Sequence, residues 1–237
     1  MKYNDNMTRL ADDIRKRNRI KNKRIEDGFT MSIYDWMLKL DLTQSEMLVY
    51  ALIYQFSRPG SDTTFFGSLT FIQNSLNKDR KTIISALDTL EKRGLIRKAE
   101  TLRMTNGVER ARYAVVLPKM PVSRSHIVVN GWMFRWVNTT SELLVYAVIY
   151  SYSQPIPGCA TRLTCKASYL AKETGLSERT LSRVLEALKD NNKIFIHKAP
   201  TTPRKREYTA LYPREAVELY NERNKDKDGF RPVNIAF

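Results

Sequence analysis

The stretch DWMLKLDLTQSEMLVYALIYQFS, residues 35–57, returns 96 residues later as GWMFRWVNTTSELLVYAVIYSYS, residues 131–153. Twelve of the 23 aligned positions are identical. Identity this dense reads as an internal duplication, and it constrains the fold more than any other feature of the chain. The unit is too long, and occurs too few times, for a solenoid of short repeats. Two copies in 237 residues imply two similar domains, each long enough to bury its own core.

Both copies read in the same order. A short apolar strand leads in, FTMSI in the first and HIVV in the second. Thr43 and Thr139 then each stand three residues before a glutamate, Glu46 or Glu142. Thr-x-x-Glu is the pattern of a capping box, in which side chain and backbone bond reciprocally at a helix start. The helix bodies, EMLVYALIYQF and ELLVYAVIYSY, are apolar almost all round, as in a helix at the centre of a core. Their aromatic residues therefore read as core. A stretch bearing Pro and Gly follows, SRPGSDTTFFG or SQPIPGCATRL, which reads as a loop that can end in a short strand.

Two more helices come next. In the second copy they are expected at 166–174 and 177–191. Gly175 supplies the left-handed residue that ends the first, and Ser177 caps the second. Leu181, Val184, Leu185 and Leu188 recur at helical spacing and face the core, while Arg179, Ser182, Arg183 and Glu186 point away. The first copy aligns here with an offset of 98. Asp79 caps its helix, Ile83, Ala86, Leu87 and Leu90 face inward, and Arg80, Lys81, Ile84 and Ser85 face outward. Each copy closes on two strand-like runs around a turn. In the first, the turn is Thr105-Asn106-Gly107, and Asn-Gly is a strong hairpin signal. In the second, it is PTTPRK. The expected class is mostly α with small β, an α+β chain.

With those elements in place, residues 29–117 and 125–213 each resemble a winged helix-turn-helix domain. LAKETGLSERTLSRVLEALKDNNKI, residues 170–194, matches that family's pattern, including Ala171 at the crowded position of the first helix. The first copy departs from it, with Gln73 for Ala171 and Asn77 for Gly175. The expected organisation is a basic arm at 1–27, winged-helix domains at 28–118 and 119–213, and a C-terminal helix and tail at 214–237. Two tandem winged helices in a chain of this length also resemble plasmid replication initiators, which bind repeated origin sequences. The run WM…SELLVYAVIY, here preceded by Gly131 where a small polar residue is usual, resembles DNA-binding proteins of mobile elements in Gram-positive bacteria. The resemblance implies that the second domain reads sequence most directly.

Composition agrees with an anionic partner. Forty Lys and Arg against 25 Asp and Glu give a net charge of +15, a balance that favours nucleic acid. In helix-turn-helix proteins the second helix enters the major groove. The candidate DNA contacts are therefore Ser177, Glu178, Arg179, Thr180, Ser182 and Arg183 in the second copy, and Arg80, Lys81 and Ser85 in the first. Arginine can grip guanine with two hydrogen bonds, and hydroxyls can reach phosphate. The outward Ile84 can touch a thymine methyl or a protein surface. The wings add Arg110 and Arg112, then Arg204, Lys205 and Arg206, where contact with phosphate would position the protein without specifying sequence. Residues 14–24, IRKRNRIKNKR, hold seven basic residues in eleven and no acid, so Arg15, Lys16 and Arg17 join the candidates.

Other chemistries lack a signature. Two cysteines and two isolated histidines make no metal set, so no metal and no cofactor is expected. No Walker loop and no paired-histidine nicking motif occurs, so the chain is not expected to be an enzyme. The partner implied is double-stranded DNA. A homodimer and contacts with the replication or transcription machinery stay open. No small-molecule ligand and no membrane is expected, because the most apolar run, residues 143–152, is half of a membrane span. With no apolar secretory signal at the N-terminus, the expected location is cytoplasmic, at the nucleoid. The leading expectation is a sequence-specific replication initiator. The alternatives are a transcriptional regulator of the same fold and a winged-helix module that binds protein.

Overall fold

The computed structural model describes residues 29–57, 64–65, 67–103, 109–116, 126–153, 163–199, 205–226 and 232. They form an α+β chain with two compact units, one of Thr30–Arg135 and one containing Trp136–Phe237.

The first unit runs β1 (Thr30–Tyr34), a 3-10 turn at Met37–Lys39, α1 (Gln44–Phe56), β2 (Thr64–Phe65), α2 (Leu69–Leu76), α3 (Arg80–Lys92), β3 (Ile96–Arg103), β4 (Glu109–Val115) and β5 (His126–Asn130). Its α1 is the central helix, with Met47 to Ile53 buried without a break. The capping box forms as the spacing predicts: the Thr43 amide donates to Glu46 Oε2 at 2.8 Å, and the Glu46 amide donates to Thr43 Oγ1 at 3.3 Å. From α3, the residues Ile83, Ala86, Leu87 and Leu90 enter the core. The sheet has the order β2-β4-β3, all antiparallel, with an irregularity between Ala99 and Leu102. The expected turn at Thr105-Asn106-Gly107 lies outside the described residues.

After α4 (Met133–Trp136), the second unit runs α5 (Thr140–Tyr152), β6 (Leu163–Cys165), α6 (Ala167–Thr174), α7 (Glu178–Asp190), β7 (Ile194–Lys198), β8 (Arg206–Ala210) and α8 (Pro213–Asn224). Every residue of α5 from Glu142 to Tyr150 is buried. The sheet order is β6-β8-β7, again antiparallel. The capping box of this copy forms only in half. The Glu142 amide donates to Thr139 Oγ1 at 3.1 Å, but the Glu142 carboxylate accepts from the amide of Asn138 at 3.0 Å. That carboxylate also faces Lys193, whose Nζ stands 3.8 Å away with both side chains almost fully buried. A buried ammonium nearby gives Glu142 a second task that sequence spacing does not reveal.

The leading strands form where the sequence places them, and their pairing is not specified by it. They do not join the wing sheets of their own copies. Instead β1 and β5 form a separate antiparallel pair, with Met31 opposite Val129 and Ile33 opposite Ile127. These four side chains are buried and make one apolar face. In each three-stranded sheet the β4 or β8 side of the hairpin is taken by the short strand β2 or β6. The first unit consequently reaches past residue 118, where the sequence places its end, and takes in β5.

The C-terminal helix docks on the second unit. Pro213 opens α8, a position where the missing amide proton costs nothing. Leu211, Ala216 and Leu219 pack with Trp136 and Phe195. The Tyr146 hydroxyl donates to Leu211 O at 2.7 Å, and the hydroxyls of Tyr150 and Tyr212 lie 2.9 Å apart. The apolar residues of FRPVNIAF, apart from Pro232, lie outside the described residues.

Candidate nucleic-acid interface

In both units a helix, a left-handed turn and a second helix follow one another, built by local signals. In the first unit, Asn77 ends α2 with φ 48°, and the next amide, of Lys78, donates back to Gln73 O at 3.2 Å. In the second, Gly175 takes φ 68° and the Leu176 amide donates to Ala171 O at 3.1 Å. Both are Schellman-type endings, in which a left-handed residue lets the chain turn back on the last carbonyls. Asparagine tolerates this conformation, so the departure from glycine leaves the turn intact.

The helix after each turn is capped by the residue that sequence reading assigns. Asp79 Oδ1 accepts from the Thr82 amide at 2.9 Å, and Oδ2 accepts from the Thr82 hydroxyl at 2.5 Å. Those bonds hold the exposed Asp79 carboxyl below the usual carboxylate range. In the second unit the Thr180 amide donates to Ser177 Oγ at 3.2 Å, and the two hydroxyls lie 2.9 Å apart. Ser177 and Thr180, both candidate DNA contacts, are thus engaged with each other. At its far end α3 is anchored by Arg93, whose guanidinium donates to the carbonyls of Asp41 and Leu40. Sequence reasoning missed this clamp, since nothing in the local pattern around Arg93 points to a partner about fifty residues away.

Between those fixed ends the outward faces carry the candidates. On α3, Arg80, Lys81 and Ser85 are exposed. They line an open concavity with Ile84, Asp88, Thr89 and Lys92. Three of these residues are cationic and one is acidic. Lys92 belongs with the candidates, and the 3.6-residue period carried on from Lys81 through Ser85 and Asp88 would have found it. On α7, Ser177, Glu178, Arg179, Ser182 and Arg183 are exposed, and Thr180 is half-buried. The inward stripe Leu181, Val184, Leu185 and Leu188 is buried as expected.

The wings are described in part. Arg110 stands opposite Leu102, and Arg112 opposite Ala99, in the β3/β4 register. Arg206 is exposed on β8, opposite Lys198 of β7, and Lys205 just before it is half-buried. Arg204, and Arg15, Lys16 and Arg17 of the basic arm, lie outside the described residues. Cys165 is buried on β6, and burial pushes its thiol up to about 11, which keeps it protonated at neutral pH. Among the described residues, no group of three or more His, Cys, Asp or Glu is placed to hold a metal ion, and no helix is long and apolar enough to cross a membrane.

A family model described as a helix-turn-helix domain matches residues 40–96. That span covers α1 through α3 of the first unit and stops at the start of β3. No curated protein matches the chain. The match falls on the copy whose sequence departs further from the helix-turn-helix pattern. The chain therefore carries a helix-turn-helix domain, and DNA is the partner that this domain supports.

Proposed function

We propose that the protein binds double-stranded DNA sequence-specifically and acts as a replication initiator of a plasmid or other mobile element. The observation that carries the reading is the presence, in both units, of a capped helix after a helix-turn-helix turn with its polar face exposed. The net charge of +15 supports a polyanionic partner. The dense repeat between residues 35–57 and 131–153 supports an origin by duplication, giving two DNA-binding domains in one chain. In this reading Arg179 and Arg183 of α7 touch bases, while Arg80, Lys81 and Ser85 of α3, the wing arginines and the basic arm contact the phosphate backbone more than sequence. The protein acts by binding, without catalysis of its own, at the nucleoid.

The helix-turn-helix match carries no replication role, which equally favours a transcriptional regulator of the same fold. Binding-site selection on random duplex DNA, with the full chain, tests the shared part of both readings. The expected result is one enriched site. A chain that enriches no site is not a sequence-specific DNA-binding protein. Iterated copies of that site beside the protein's own gene, and replication of a plasmid that carries them together with the gene, separate the initiator from the regulator.

A further inference from the structure

We infer that Ile84 reads the 5-methyl group of a thymine in the major groove, which makes α3 of the first unit a sequence reader in its own right. The inference rests on the proposed DNA binding and goes beyond it, because that reading gives base contacts to α7. Ile84 is 37% exposed, whereas its neighbour Ile83 is fully buried in the core. It stands outside the inward stripe of Ile83, Ala86, Leu87 and Leu90. An exposed β-branched aliphatic side chain in mid-helix costs hydration and some helix propensity. Its surroundings say what it meets. Along the concavity every other lining residue is polar, with Arg80 and Lys81 one turn before it and Asp88 one turn after. A protein partner docks on a cluster of apolar anchors, and this face offers one. Duplex DNA fits better. The flanking cations suit phosphate, and in the major groove the thymine methyl is the apolar group that a base pair displays. One isoleucine matches one methyl.

Position 84 also sits where such a reader must sit. It is the fifth residue of α3, within the leading turns that reach base edges in helix-turn-helix proteins. The cap at Asp79 and the Arg93 clamp fix both ends of the helix, so the side chain is presented at a constant height along it.

The test uses the full chain and the duplex enriched by selection. Each thymine is replaced in turn by deoxyuridine, which deletes the methyl group and leaves the hydrogen-bonding edge unchanged. For the wild-type protein, one or two positions are expected to weaken binding about fourfold, the factor for burying one methyl-sized group. Ile84→Ala should weaken binding to the thymine duplex by a similar factor and should be indifferent to deoxyuridine at those positions. Affinity for a scrambled duplex should be unchanged, which shows that the variant is folded and still holds phosphate. Two results overturn the inference while leaving DNA binding intact: deoxyuridine neutral at every position, or a deoxyuridine effect that persists in Ile84→Ala. Failure to enrich any duplex overturns the DNA-binding reading itself, and this inference with it.

Discussion

Ser32 pairs with Val128 at the middle of the β1/β5 ladder, and the two positions are 96 residues apart, the offset at which the chain aligns with itself. The strand that leads into one copy is therefore completed by the strand that leads into the other. The pairing is more than an incidental contact, because Met31, Ile33, Ile127 and Val129 bury one continuous face on the same side.

That pairing makes the end point of a fragment decisive. A fragment ending at residue 118 keeps α1, α2 and α3 but leaves β1 as an open edge, with Met31 and Ile33 deprived of their partners Val129 and Ile127. Open apolar edges invite association with other chains. Such a fragment should self-associate in sedimentation, while one ending at residue 135, which retains β5, should remain monomeric. Equal behaviour of the two would mean that β5 contributes nothing to the first unit.

Duplex binding by the full chain should depend steeply on salt. If six to ten phosphates are neutralised, affinity should fall by about a thousandfold or more between about 50 and 200 mM salt. Removing residues 1–24, with their run of basic side chains, should flatten the slope and keep the preferred sequence. Titrations at several salt concentrations measure both. An unchanged slope would take the arm off the DNA.

Arg179 and Arg183 lie one turn apart on the exposed face of α7 and reach one stretch of groove. A base contact by arginine discriminates by about 1–3 kcal/mol, whereas a phosphate contact weakens all sequences alike. Arg179→Ala and Arg183→Ala should therefore weaken the selected duplex more than a scrambled one. Lys81→Ala and Ser85→Ala should weaken both more evenly. Competition between the two duplexes gives the ratio directly, and equal losses for the arginine variants would remove α7 as a base reader.

Three core tyrosines should answer the same change differently. Tyr146 donates its hydroxyl to Leu211 O at 2.7 Å, so Tyr146→Phe should cost about 1 kcal/mol in urea unfolding. Tyr50 and Tyr208 are fully buried, and among the described residues their hydroxyls have no hydrogen-bond partner. Tyr50→Phe and Tyr208→Phe should be neutral or stabilising at pH 7. Burial pushes both phenols up to about 12. A folded pKa above the usual value of about 10 means that the native state favours the protonated form. Its contribution is complete below about pH 10 and is lost as pH rises towards the folded value. The two phenylalanine variants should accordingly resist alkaline unfolding better than the wild type, as followed by circular dichroism between pH 8 and 12.

Much of the fold was legible because it is encoded locally. The stripe Leu181, Val184, Leu185, Leu188 repeats every turn, Ser177 and Asp79 cap within three residues, and Gly175 and Asn77 each need only their own left-handed backbone. The same period places Arg179, Arg183, Arg80 and Lys81 outward, so the candidate faces could be read from the chain itself. The wings were less legible, since a strand side chain's surroundings depend on its partner's register. What the tertiary structure alone decided involves residues far apart in sequence. FTMSI and HIVV read as strands, but their apolar alternation is satisfied by any strand of matching period, and packing selected each other. Thr-x-x-Glu reads as a capping box in both copies, yet the Glu142 carboxylate accepts from the amide of Asn138 and lies against Lys193, a residue far along the chain that no local pattern announces. Arg93 finds the carbonyls of Leu40 and Asp41 only once α1 and α3 are packed. Local sequence specifies which segments become helices and which faces they hide. The pairing of distant segments depends on which of several compatible surfaces meet, and that is settled only when the core forms.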